Sequence, residues 1–391
     1  MEQNATTALV EEIMLDFASL TGLAPPAAHP QRYLWTDAFA VCNYVELFRQ
    51  THDETYRDLA LCLVDQVHHV LGRHRDDDPW TGWISGLSGQ EGEMHPTKGG
   101  LRIGKKLPER GQNEPFNERL EWDRDGQYFH YLTKWMHALN RVSRVTGDPK
   151  YNGWAIELAQ TAHARFTYLP LASTRKRMYW KMSIDLSRPL VPSMGQHDPL
   201  DGFVTFSELQ QTANVEFGLP LQPGLPAEIA DMAGICRGRD LLTDDPLGIG
   251  GLLSDASRIT QLMIKGGSGY AALLDSVVDA ALRGTVSFME SGTLDLPAGY
   301  RLAFRELGLS IGLKGAVMLA DRIEENPDIF KGDGSLQRQA NALAGCIPVV
   351  ETIGKFWLDK GNRNAGTWTE HREINMVMLA TSLAPAGFLL I

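Results

Sequence analysis

The stretch Thr51-His52-Asp53-Glu54-Thr55-Tyr56-Arg57-Asp58-Leu59-Ala60 recurs as Thr146-Gly147-Asp148-Pro149-Lys150-Tyr151-Asn152-Gly153-Trp154-Ala155, with Thr, Asp, Tyr and Ala at the same offsets. Each copy is a polar turn between two runs whose apolar residues fall at three- and four-residue spacing, so each reads as the bend of a helical hairpin. A second match pairs Asp198-Pro199-Leu200-Asp201-Gly202 with Asp245-Pro246-Leu247-Gly248-Ile249. Proline after an acid fits a helix entry, where a missing N–H costs nothing. Convergence of helix starts on such sequences explains this second match equally well.

Outward from these bends, the same periodicity predicts about twelve helices, near residues 8–20, 36–51, 53–72, 126–147, 149–167, 199–215, 226–237, 246–264, 270–290, 300–325, 335–359 and 368–384. Alternate helices open with small residues, as at Gly248, Gly250 and Gly251, or Gly299 before Tyr300. Glycine weakens a helix by up to ~1 kcal/mol relative to alanine, so such clusters point to close approach of a helix or a ligand. The expected architecture is all-α: an (α/α)6 toroid of six helical hairpins in one domain, 1–391, with the amino ends of the inner, alternate helices around a shared hollow. A long irregular loop at about 73–124 carries enough apolar residues, Trp80, Trp83, Leu101 and Ile103 among them, to be ordered and functional. Arg177-Met178-Tyr179-Trp180-Lys181-Met182 is expected to form a strand of a small β-hairpin on the rim.

The 391 residues are 43% hydrophobic and 22% charged, an ordinary globular composition. A formal net charge of −11 argues against a nucleic-acid partner, and the short basic run Arg175-Lys176-Arg177 reads as a solvated turn. Residues 1–20 have no secretory pattern, and no apolar run is long enough to span a membrane. Cysteines 42, 62, 236 and 346 sit in apolar helical stretches as reduced thiols, which suits the cytoplasm. Nothing has metal-ligand spacing, and the phosphate-loop, dinucleotide and nucleophile-elbow patterns are missing, so neither metal nor cofactor is expected.

Three acids followed by small residues open apolar helices: Asp37-Ala38-Phe39, Asp125-Gly126 and Asp201-Gly202-Phe203. Helix capping is the plain explanation of each. The aromatic company suggests more, because Trp35 and Trp122 precede the first two and Trp368-Thr369-Glu370-His371 repeats the pattern of Trp35-Thr36-Asp37. Aromatic faces stack on sugar rings. Cleaving a glycoside needs one protonated carboxyl to protonate the leaving oxygen and one ionised carboxylate to attack or to activate water. Glu121-Trp122-Asp123-Arg124-Asp125 is the densest supply, either as acids with divergent pKa values or as a salt-paired loop. Asp37 and Asp125 are the expected acid/base pair, with Glu370 in reserve. Trp35, Trp122, Tyr128, His130, Asp201, Trp368, His371 and Arg102 are expected to hold the substrate. Arg102, Lys105, Lys106 and Arg110 on the loop suggest an acidic group on that ligand, a small saccharide or oligosaccharide. Two further readings stand beside hydrolysis: a sugar epimerase or isomerase working through His130, His197 or His371, and a toroid that binds carbohydrate without chemistry.

On Leu34-Trp35-Thr36-Asp37-Ala38-Phe39, the Thr-x-Asp-x-x-Tyr-x-x-x-Ala bends and Asp201-Gly202-Phe203, the chain resembles the six-hairpin glycosidase-like superfamily of (α/α)6 toroids, and distantly its unsaturated glucuronyl hydrolases. In those enzymes a Trp-x-Asp-Gly-Phe stretch contributes an active-site aspartate. The resemblance implies that role for Asp37, with Ala38 in place of the glycine, and by context a second such role for Asp125.

Overall fold

The computed structural model describes residues 2–171, 173–215, 224–267, 269–332 and 334–391. They form two compact units, residues 18–239 on one hand and residues up to 17 with 240–391 on the other.

In the unit formed by 18–239, three hairpins follow one another: Leu34–Thr51 with Glu54–Leu71, Phe129–Thr146 with Pro149–Phe166, and Asp198–Val215 with Pro226–Cys236. The first helix of each pair is the inner one. Leu34–Thr51 is buried from Leu34 through Leu47, and it packs on Phe129–Thr146, which packs on Asp198–Val215. The outer Glu54–Leu71 buries one face only.

The repeated bends are built alike. Thr51 Oγ1 donates to Leu47 O and accepts from Asp53 N, and Asp53 caps Thr55 N at 2.9 Å. Thr146 Oγ1 does the same with Val142 O and Asp148 N, and Asp148 caps Lys150 N at 3.0 Å. Tyr56 and Tyr151 are buried, as are Ala60 and Ala155, so the four shared residues are two turn-formers and two core anchors.

The other unit repeats the scheme with Pro246–Ile264 and Ala271–Glu290, then Ala303–Glu325 with Ser335–Ala344 and Ile347–Leu358, then Arg372–Leu383 against Ala303–Glu325. The glycine expectation holds at Gly250. A Cβ there would stand 2.1 Å from Gly308 O, and one on Gly312 would stand 2.6 Å from Gly250 Cα, so the two inner helices touch backbone to backbone. Two predicted helices are broken. The 335–359 segment stops at Ala344 and restarts at Ile347, because Pro348 cannot continue a helix but suits a first turn. The 368–384 segment divides into Gly366–Thr369 and Arg372–Leu383 at His371.

The predicted rim strand also divides. Arg177–Met178 pairs antiparallel with Thr167–Tyr168, while Lys181–Met182 lies between Gln127–Tyr128 and Pro189–Val191 in a second small sheet. The 73–124 loop is ordered. Leu101 and Ile103 are fully buried, Trp83 nearly so with Gly92 against its indole, and the loop carries the short helices Gly89–Met94 and Glu118–Asp123. Trp80 stays 70% exposed. All four cysteines are free thiols. No helix among the described residues is long and apolar enough to cross a membrane.

Candidate functional site

Two inner helices of the 18–239 unit, Phe129–Thr146 and Asp198–Val215, meet along a polar ladder. His130, Thr133, Lys134, His137 and Asn140 lie at the three- and four-residue spacing of one helix face. Their partners climb the facing helix in the same direction. Asn140 donates to Thr212 at 2.9 Å. His137 Nδ1 lies 2.9 Å from the Glu208 carboxylate, both side chains buried. Thr133 Oγ1 and Lys134 Nζ donate to the two oxygens of Asp201, at 2.5 and 2.6 Å. These rungs are closed.

The rung at the amino ends is open. His130 Nδ1 and Asp198 Oδ1 are 3.7 Å apart, too far for a hydrogen bond, and neither His130 Nδ1 nor Asp198 Oδ2 has a hydrogen-bond partner although both atoms are buried. Enclosure acts on the two in opposite senses. Burial, helped by the nearby Asp201 charge and opposed by Lys134 and Arg239, pushes the Asp198 carboxyl up to about 7. Burial lowers His130 to about 4, Asp201 opposing and Lys134 assisting. At neutral pH the rung therefore holds an unionised imidazole and a carboxyl still able to give a proton.

Aromatic rings surround it. His130 lies edge-on to Tyr131 at 4.8 Å and parallel to Trp180 at 6.4 Å, with Tyr128 5.4 Å away. Trp122 stands edge-on to Trp180 at 4.8 Å and is 47% exposed, the outermost ring of the group. The Lys181–Met182 strand brings Trp180 here by pairing with Gln127–Tyr128 at the foot of the Phe129–Thr146 helix.

Of the expected site residues, Tyr128, His130, Asp201 and Trp122 come together at this ladder. Asp125 has another task. It is fully buried, and its carboxylate accepts from Arg102 at 2.7 Å, from Arg75 at 3.2 Å and from the amides of Gly104, Lys105 and Gly126. That saturated acid ties the long loop to the helix entry and has no lone pair to offer a substrate. Arg102 is consumed with it, since its other nitrogens donate to Arg73 O and Val70 O. Arg110 and Lys181 bind Glu121, and Arg124 binds Glu114, so Glu121, like Asp125, is salt-paired, while Asp123 is exposed. Asp37 is buried, accepts from Tyr33 N at 2.9 Å and sits 3.4 Å from Arg32; burial raises it to about 6 against the pull of that arginine. Trp35 packs on Phe39 in the core.

Glu370, His371 and Trp368 belong to the other unit. Trp368 is buried against Trp357, Glu370 is exposed, and His371 is exposed beside Phe304. Asp198 is the acid that sequence reasoning left out, because its Asp-Pro setting reads as a cap. The signal lay in the three-residue step from Asp198 to Asp201, which matches the step from His130 to Thr133 on the facing helix.

No protein-family model matches the sequence, and no curated protein does. Among solved structures, an inactive double Asp-to-Asn variant of the α-1,6-mannanase GH76A of Salegentibacter sp. HEL1_6, in complex with α-1,6-mannotriose, matches with a TM-score of 0.54 at 12% identity, covering 97% of this chain and 99% of that one. The cellobiose 2-epimerase of Spirochaeta thermophila DSM 6192 matches with a TM-score of 0.46 at 11% identity, covering 88% and 98%. The likeness to the mannanase shows the fold alone, that of an (α/α)6 toroid, with few small strands and no closed sheet among the described residues. It does not carry the narrower likeness to unsaturated glucuronyl hydrolases.

Proposed function

We propose that the chain is a carbohydrate-active enzyme that hydrolyses a glycosidic bond at the open rung, with Asp198 as the general acid. The observation that carries this reading is the contrast between two carboxyls one helical turn apart. Asp198, kept neutral up to about pH 7 with an unpartnered oxygen, can protonate a leaving oxygen. Asp201, gripped by Lys134 and Thr133, is the second carboxylate, placed to answer positive charge on the sugar. Trp122, Tyr128, Tyr131 and Trp180 offer ring faces for a saccharide. The fold is one in which a mannanase is known, which agrees with this reading.

The test rests on leaving-group chemistry. Asp198→Asn should lower kcat/KM on a disaccharide roughly 10²- to 10⁴-fold, the usual worth of a general acid, and far less on a 2,4-dinitrophenyl glycoside, whose leaving group needs no proton. Equal losses on both substrates would remove Asp198 from the acid role.

A second reading has its own observation. His130 is neutral above about pH 4 and only 3.7 Å from Asp198, so a base and an acid stand on one side of the site, as proton transfer between neighbouring sugar carbons requires. Under that reading the enzyme is a sugar epimerase or isomerase, product carries deuterium from heavy water at carbon, and His130→Ala abolishes the exchange.

A further inference from the structure

Within the 18–239 unit lies a pocket of about 420 Å³, in the size range of small-molecule sites (~300–1,000 Å³). Arg175, Lys176, Arg177 and Arg239 line it, with Met178 and Ile235 supplying apolar surface, and no carboxylate is among its described lining residues. The basic run 175–177 is thus more than a solvated turn. Pairing of Thr167 with Met178 and of Tyr168 with Arg177 folds it back to the place where Arg239 arrives from the end of the Pro226–Cys236 helix.

Two of the four cations are engaged by the protein. Lys176 pairs with Asp231, and Arg175 Nε donates to Gly234 O at 3.2 Å. Arg239 is poorly matched: its buried Nε has no hydrogen-bond partner, and one terminal nitrogen meets only the Met194 sulfur at 3.8 Å, a weak acceptor. A buried guanidinium N–H left unmatched is destabilising, and an incoming oxyanion would satisfy it. Guanidinium suits that task because its planar fork matches carboxylate and phosphate oxygens.

The pocket also adjoins the open rung. Its Pro192, Ser193 and Met194 wall runs directly into Gly195, where a Cβ would stand 2.4 Å from the Asp198 carboxyl, and the Arg239 charge acts on Asp198. We propose that this pocket is an anion subsite that holds the phosphate or carboxylate of an acidic sugar while the reacting end of the same sugar lies at Asp198. This rests on the reading of the Asp198 rung as a saccharide site and adds the class of saccharide. The expected positive groups of the loop, Arg102 and Arg110, are spent on Asp125 and Glu121, so the acidic group is met by a different cluster.

Titration calorimetry at pH 7.5 in low salt, with glucose 6-phosphate, glucuronate and glucose as separate probes, tests the inference. At least one charged sugar should bind roughly tenfold or more tightly than glucose, and their order identifies phosphate or carboxylate as the anion. Arg239→Gln should abolish the preference, and the exposed Arg177→Ala should reduce it several-fold without disturbing the fold. Equal binding of charged and neutral sugars, or a preference that survives both arginine substitutions, overturns the subsite. Because the readout is binding, the two proposals fail separately: anion preference without turnover removes only the catalytic reading, and turnover on neutral glycosides without anion preference removes only the subsite.

Discussion

Asp198-Pro199-Leu200-Asp201-Gly202 and Asp245-Pro246-Leu247-Gly248-Ile249 are near-copies in sequence and opposites in the folded chain. Asp245 stands one residue before its helix and caps it, accepting from Gly248 N at 3.2 Å; its other oxygen binds Arg305 at 2.7 Å, and the pair is partly solvated. Asp198 is the first residue of its helix, so the first helical bond is accepted by His197 O rather than by the aspartate. That one-residue change removes the capping geometry. The carboxyl turns over Gly195 instead, buried, with one oxygen unsatisfied and His130 as its neighbour. A cap is an acid that the backbone has satisfied, and a proton donor is one that it has not.

The largest difference between the two aspartates should appear in turnover. Asp198→Asn is expected to lose roughly 10²- to 10⁴-fold in kcat/KM on an unactivated substrate, whereas Asp245→Asn should stay within roughly twofold of the parent. Steady-state rates on one disaccharide decide it. Comparable losses in the two variants would mean that the second repeat marks one structural role used twice.

Next in size is a pH effect on stability. The folded chain holds Asp198 protonated up to about pH 7 against an ordinary value of 3.8, so the unfolded chain loses this proton first as pH rises. The contribution of the neutral carboxyl is intact below about pH 4 and is lost progressively through pH 7. Asn, which cannot ionise, escapes that loss. Asp198→Asn should therefore be more stable than the parent by on the order of 2–4 kcal/mol at pH 9 and nearly equal to it at pH 4. Urea melts at the two pH values measure this, and a gain of the same size at both would show that packing rather than ionisation is responsible.

Much of this frame can be read without coordinates. The Thr-x-Asp-x-x-Tyr-x-x-x-Ala bends announce the hairpins because hydrogen bonding and burial demand those residues locally, and within the 248–251 cluster Gly250 marks a tight helix contact while Gly251 faces open space. The site was half legible. His130 and Asp201 stand out by residue type, yet Asp125 carries the same Asp-Gly signature as Asp201 and is saturated by Arg75, Arg102 and the amides of Gly104 and Lys105, all distant in the chain, besides that of its neighbour Gly126. Which acids are satisfied depends on such long-range partners and on helix register. A local pattern contains neither.

The glycines beside each copy separate the two regions again. Gly195→Ala places a Cβ 2.4 Å from the end of a carboxylate side chain, which can swing away, so stability should change little while turnover falls with the displaced acid. Gly250→Ala places one 2.1 Å from a backbone carbonyl, which cannot move without shifting a helix. That substitution should cost about 1–3 kcal/mol, visible as a lowered urea midpoint. Reversed outcomes would mean that the backbone around Gly195 is the rigid one.

The smallest effect belongs to the cap itself. Asp245→Ala removes an N-cap bond worth about 1 kcal/mol and an ion pair with Arg305 that, with both side chains more than a third exposed, adds at most a few tenths after solvent screening. Asp245→Asn keeps the capping oxygen and loses only the charge, so it should recover most of the deficit, and Asp245→Ser nearly as much. Melting temperatures of the three variants in low and high salt resolve the two contributions, because salt weakens the ion pair and leaves the cap. A deficit in Asp245→Asn as large as in Asp245→Ala would make Asp245 an electrostatic anchor for Arg305, and the contrast with Asp198 would then lie in the charge each acid meets rather than in the register of its helix.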